Sequence, residues 1–500
     1  MQLFSFFNKN RFLAIVISGL FLSVYFTKSE AMEVPVYDFP ISAYSQNVSD
    51  YLLVDGDDIS KNLLSSDYQH AQLKQFYNHY YSTDEQGLSP WSKKMVQSVL
   101  PWVKKNEPET LDSFNNQDKS DIGRHYAENF KEHDQVWWYK LQENMDFPAL
   151  NTSEYIAEHR AIAITNTFAR TLPEAAPDFY HPSVPGQGFP FDNLQESAIW
   201  AGTPLYVVST SKDKAWSLIF SAGGYASWVK SSDIAYVSSE FIAQWQQAAQ
   251  HKLVAITKTE ASIVDEQQQF QFTGYIGAIF PGAQRHDQQT AILIPIKNSN
   301  NQAVIKVGLI DTNASAVMPL AASKKNMATL LRELQNRPYG WGGIFFYNDC
   351  SQEMKSIFTP FGIWLPRNSV QQARTRPTLD LSSHTMDERL QMLEEKGHPL
   401  MTMIYIDGHV MLYLGYKDID NHGLVAMTYQ NIWGMSSVTR DKRYVIGQSL
   451  FFPLLNYYPE APDARSLADK PLFKLVYLDD SHARPELPRA YARKLMSKKD

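Results

Sequence analysis

Cysteine is almost absent from this chain: Cys350 is the one thiol in 500 residues. An intramolecular disulfide is therefore excluded, as is a cysteine-built metal site. The sequence also lacks a His-Glu-x-x-His pattern and a phosphate-cradling glycine loop, so neither a metal nor a cofactor is expected. Positive charge is not in excess. Forty-six Lys and Arg against 53 Asp and Glu give a net charge of -7, which argues against broad electrostatic binding to nucleic acid. Finally, the apolar run Phe12 to Phe26 falls short of the roughly 20 residues needed to span a bilayer.

What is present begins with an export signal. Lys9 and Arg11 precede that apolar run, and Ser29-Glu30-Ala31 follows it with small residues at the positions a signal peptidase inspects. Residues 1–31 are read as a signal peptide. No cysteine lies at the cleavage point to carry a lipid, so the mature chain is expected in the periplasm or secreted, without a stable membrane anchor. In such a compartment a lone cysteine is kept for its reactivity.

The remaining length is too great for one core. Residues 32–172 mix extended and helical pieces, with helical spacing over Ala71–Tyr81 and Lys93–Lys105, and read as a largely helical domain without evident chemistry. A Pro- and Gly-rich stretch from Pro173 to Pro190 marks a change of composition. Short strands then predict two small all-β modules, at 173–247 and 248–320. The first holds Pro204–Ser209, Trp216–Phe220 and Ser227–Lys230. The second holds Leu253–Thr257, Tyr275–Phe280, Ala291–Ile296 and Ala303–Leu309, with Asn298-Ser299-Asn300-Asn301 as a hairpin tip. Residues 321–460 place helices first and strands after, an α+β pattern. A C-terminal extension, 461–500, ends in a basic cluster from Arg484 to Lys499.

Cys350 lies in the last of these domains. Asp349 is a good helix N-cap, so Cys350 falls in the first turn of the helix predicted by Met354, Ile357 and Phe358. There the unpaired N–H groups and the macrodipole favour a thiolate and can donate to an oxyanion. His409 follows Asp407-Gly408 and opens an apolar strand, a position at a sheet end from which an imidazole can face a helix terminus. A third polar group should orient that ring. The neighbouring strand offers Gln430 or Asn431, and the alternation of Ala426, Thr428 and Gln430 favours Gln430.

These runs carry a resemblance. Pro338-Tyr339-Gly340-Trp341-Gly342-Gly343 with Asp349-Cys350-Ser351, the segment Phe361 to Ser369, and Gly408 to Gly415 resemble the NlpC family of papain-like cell-wall peptidases. Phe191 to Gln195, Gly202-Thr203-Pro204 and Trp228-Val229 resemble a bacterial SH3-like module. Asn144-Met145 and Ala163 through Pro173 resemble the end of the N-terminal stabilising domain found in one branch of that family.

The resemblance implies a multidomain α+β protein in which a papain-like domain follows two SH3-like barrels. It implies Cys350 as nucleophile, His409 as general base and Gln430 in the third position, where relatives often have histidine. Asp349, Ser351 and Ser369, with Asn368 alongside, match residues that hold the free amine of a stem peptide, and Trp341 walls the pocket. The implied partners are peptidoglycan or muropeptides. The implied reaction is hydrolysis of the γ-D-glutamyl–diamino acid amide of the stem peptide. Two other readings use the same residues: a wall-binding protein without turnover, and a thiol acyltransferase acting on wall peptides.

Overall fold

The computed structural model describes residues 36–53, 58–181, 187–283, 289–419 and 423–480. The expected signal peptide and the basic cluster from Arg484 to Lys499 lie outside the described residues. Among the described residues no helix is long and apolar enough to cross a membrane.

Two packed β modules precede an α+β domain. The first is one seven-stranded sheet, ordered Ile234–Tyr236, Arg160–Ala163, Pro204–Thr210, Trp216–Ser221, Ala226–Lys230, Thr167–Arg170 and Gln195–Ile199. Two of its strands, Arg160–Ala163 and Thr167–Arg170, lie upstream of the boundary expected at 173. They pair with Pro204–Thr210 and Gln195–Ile199, respectively. Strands of four residues leave little periodicity to read, so their membership is decided by partners 25 to 46 residues downstream.

The second module combines a three-stranded and a four-stranded sheet. Its long hairpin pairs Gln289–Lys297 with Ala303–Asp311, and the Lys297↔Ala303 pair closes on the expected Asn-rich tip. The strand expected over Tyr275–Phe280 is replaced by two, Phe270–Gly274 and Ile279–Pro281, separated by a reversal in which Ala278 N–H donates to the Tyr275 carbonyl at 3.0 Å.

The last domain is built on a seven-stranded sheet whose spatial order is Val36–Asp38, Arg443–Leu454, Gly423–Ser436, His409–Ile419, Thr402–Ile406, Phe473–Tyr477 and Thr378–Asp380. Two of its members come from the ends of the described chain. Val36–Asp38 adds a parallel edge against Arg443–Val445. Phe473–Tyr477, inside the segment expected to be a C-terminal extension, is an interior strand between Thr402–Ile406 and Thr378–Asp380. The helix Cys350–Phe358 packs on this sheet through Met354, Ile357 and Phe358, all fully buried among Val410, Leu412, Leu414, Tyr429 and Phe451. Burial of each such side chain contributes about 2 to 3 kcal/mol, which fixes the helix, and with it the residue at its first turn, on the sheet.

Candidate active site

Cys350 opens its helix as expected. The Asp349 side chain caps the helix by accepting from Gln352 N–H at 2.9 Å. The backbone N–H groups of Val410 and Ser351 are directed at the thiol sulfur, so the sulfur lies beside the strand residue that follows His409. His409 owes its position to a two-residue hairpin. Ile406 pairs with His409, and Gly408 between them adopts φ +75, a left-handed conformation suited to an Asp-Gly turn.

A chain of hydrogen bonds sets the imidazole's tautomer. Thr428 Oγ1 donates to the Phe452 carbonyl at 2.7 Å, which commits its proton. It therefore accepts from Gln430 Nε2 at 3.0 Å. That turns the amide oxygen of Gln430 toward His409 Nε2, 2.6 Å away. The ring nitrogen facing an amide oxygen must carry hydrogen, so in the neutral ring Nδ1 holds the free lone pair. Gln430, rather than Asn431, orients the ring. Asn431 faces the other side of the strand, where its Nδ2 donates to the Asn348 carbonyl at 2.8 Å.

Electrostatics at the site depart from the sequence expectation. Burial, with the Asp349 charge beside it, pushes the Cys350 thiol up to about 12, against the pull of the Val410 and Ser351 N–H groups. The helix terminus is outweighed because Cys350 is 8% exposed and a lone thiolate there has lost its water. Burial likewise pushes His409 down to about 4, against the Gln430 hydrogen bond. At neutral pH the resting thiol of Cys350 and the resting imidazole of His409 are both neutral. A proton passed from that thiol to that imidazole would create two opposite charges, which attract strongly in a low-dielectric site.

The remaining expected residues divide into three groups. Asp349 and Ser351 belong to a buried cluster organised by Arg367, a residue absent from the sequence-based site. Arg367 Nη2 meets Asp349 Oδ2 at 2.6 Å, Nη1 meets Asp349 Oδ1 at 3.1 Å and Ser351 Oγ at 2.8 Å, and Nε donates to Ser197 Oγ of the first β module at 2.7 Å. The Asp349 carboxylate, expected to hold a substrate amine, is thus already neutralised by a cation.

Trp341 is 36% exposed and held by the first module: its Nε1 donates to the Asp192 carbonyl at 3.0 Å, and its ring meets Phe191 edge-on at 5.2 Å. Asn368 is exposed and caps the helix Ser369–Arg374 by accepting from Gln371 N–H at 2.9 Å. Ser369 is half-buried on that helix. Buried Gln372 ties the same helix to Ser351, donating to the Ser351 and Pro366 carbonyls at 2.9 Å each. A signal for Arg367 was available: an arginine directly after the apolar segment Phe361 to Pro366 has to find an anion when it is buried with that segment.

Comparison with known proteins agrees with this architecture. The NlpC/P60 family matches residues 336–440, an SH3 domain of SH3b1 type matches 177–230, and an SH3 domain of SH3b2 type matches 238–283. Among solved structures, an NlpC/P60 endopeptidase from Photobacterium damselae subsp. piscicida is 26% identical with a TM-score of 0.73, covering 88% of this chain and 98% of its own. An NlpC/P60 family protein from Bacillus cereus ATCC 10987 is 15% identical with a TM-score of 0.41, covering 61% of this chain and 98% of its own. No curated protein matches the chain.

Proposed function

We propose that this chain, which carries an NlpC/P60 domain behind two SH3 domains, is an exported peptidoglycan hydrolase. In this reading it is a cysteine endopeptidase that cleaves the γ-D-glutamyl–diamino acid amide of murein stem peptides. The observation that supports the reading is the relay from Thr428 through Gln430 to His409, which leaves the Nδ1 lone pair of that ring free to act as the base toward Cys350.

In the proposed cycle, His409 Nδ1 takes the thiol proton as sulfur attacks the amide carbonyl. The oxyanion is held by N–H groups at the helix terminus. The imidazolium then protonates the leaving amine of the diamino acid, and water, deprotonated by the same nitrogen, releases the acyl group from sulfur. Trp341, with Asp349, Ser351, Asn368 and Ser369, is proposed to line the substrate side. Because Arg367 neutralises Asp349, an incoming ammonium would share that carboxylate with the guanidinium rather than own it.

The test is digestion of purified mature protein with intact murein and with free muropeptides, side by side, followed by mass spectrometry. Products ending in γ-D-glutamate, and none from Cys350→Ser, are expected. No products from the wild type in reducing buffer would favour a wall-binding protein, and products whose mass includes an added amine would favour an acyltransferase.

A further inference from the structure

One buried acid has no part in the cycle above. Glu353 lies one turn after Cys350 with no exposure at all. Its Oε2 accepts from Asn348 Nδ2 at 2.7 Å, and its Oε1 accepts from Tyr429 OH at 2.9 Å and Ser449 Oγ at 2.7 Å. Each partner belongs to a different segment that carries the site. Asn348 is two residues before the nucleophile, and its carbonyl accepts from Gly340 N–H at 2.9 Å and from Asn431 Nδ2. Tyr429 precedes Gln430, the residue that orients His409. Ser449 exchanges backbone hydrogen bonds with Asn336 and Arg337, at the entry to the glycine-rich run.

A buried carboxyl does little for stability that an apolar side chain of similar volume would not do. What it supplies here is registration. Tyr429 and Asn431 share one face of their strand and clamp the Glu353 and Asn348 side of the helix, while Gln430 between them faces the imidazole. We propose that Glu353 is a positioning residue for the reaction, registering the nucleophile's approach loop, through Asn348, against the strand that bears the orienting amide, through Tyr429. Its effect on turnover rests on the endopeptidase reading; its effect on the reactivity of Cys350 does not.

A charge-swap cycle tests this. Asn348→Asp sets carboxylate against carboxylate. The double variant Asn348→Asp/Glu353→Gln restores the hydrogen bond with its polarity reversed, while the Gln oxygen still accepts from Tyr429 and Ser449. The readouts are kcat and KM on muropeptides, the rate of alkylation of Cys350 by iodoacetamide, which reports this thiol alone in a chain with one cysteine, and the thermal midpoint.

Asn348→Asp is expected to lower both kcat and the alkylation rate about tenfold or more with KM within about twofold, and the double variant to recover to within about threefold of wild type. Wild-type kcat and alkylation in Asn348→Asp, or a double variant as slow as the single one, would overturn the proposal. Should Asn348→Asp not fold, Tyr429→Phe deletes one donor and adds nothing; an unchanged kcat and alkylation rate there overturns it equally. A wild type without peptide turnover removes the endopeptidase reading, and the alkylation arm still decides on Glu353.

Discussion

Arg367 grips Asp349 through two nitrogens, at 2.6 and 3.1 Å, while its third nitrogen reaches Ser197 at 2.7 Å. The cap of the Cys350 helix is therefore tied to the first SH3 domain through one guanidinium. Removing one member of a buried ion pair strands the other charge, so Arg367→Ala should cost about 3 to 5 kcal/mol of stability. Arg367→Lys keeps the charge and loses the fork, and should fall between. Ser197→Ala, which deletes a single hydrogen bond, should cost about 1 kcal/mol. Denaturant titration of the three variants gives the ranking.

The tautomer relay predicts a graded series. Thr428→Val keeps the shape and lets the Gln430 amide invert, so kcat should fall about tenfold. Gln430→Ala removes the orienter altogether and should cost about a hundredfold, approaching the loss of the general base itself. Gln430→Glu should retain more activity than Gln430→Ala, since a carboxylate also accepts from Nε2. Steady-state kinetics on a muropeptide would check the order.

Activity should survive to unusually low pH. A base pushed by burial to about 4 stays neutral at pH 5, so kcat should be flat from neutral pH to about 5 and fall as pH drops through 4. Stability follows a different window. The folded value is below the ordinary 6.5, so between about 6.5 and about 4 the unfolded chain binds more protons at this site. Stability therefore declines as pH falls through that range, by on the order of 3 kcal/mol once both forms are protonated. Denaturant titrations at pH 7, 5.5 and 4 should show this slope, and His409→Asn should lessen it.

Gly343 adopts φ +81, and a methyl there would lie 2.6 Å from the Ala198 nitrogen of the first SH3 domain. Both strain and collision oppose Gly343→Ala, which should cost more than about 2 kcal/mol. Gly408 has a similar φ of +75 with nothing within 4 Å, so Gly408→Ala should cost only about 1 kcal/mol. Thermal midpoints of the two variants would separate crowding from backbone strain.

Much of the site was legible locally. Asp349 as a cap, Cys350 in the first turn, the Asp407-Gly408 turn before His409 and the alternation that singled out Gln430 all follow from short-range rules of helix capping, turns and strand periodicity. The partners of Arg367 and Glu353 were not legible, because they include groups 170 and 96 residues away. The depth of burial that raises the thiol and lowers the imidazole was also invisible, since a helix terminus reads the same in sequence whether wet or dry.

Sequence alone determined the helix start at Cys350, the hairpin before His409 and the strand face that bears Gln430, because each is set by a few neighbouring residues. Tertiary structure decided which distant strands complete the sheets. Val36–Asp38 and Phe473–Tyr477 join one sheet from the two ends of the described chain, and such pairing is chosen by long-range partners rather than by local propensity. It also decided the charge state of the site, because desolvation is a property of everything packed around a group and not of the group's own neighbours in the chain.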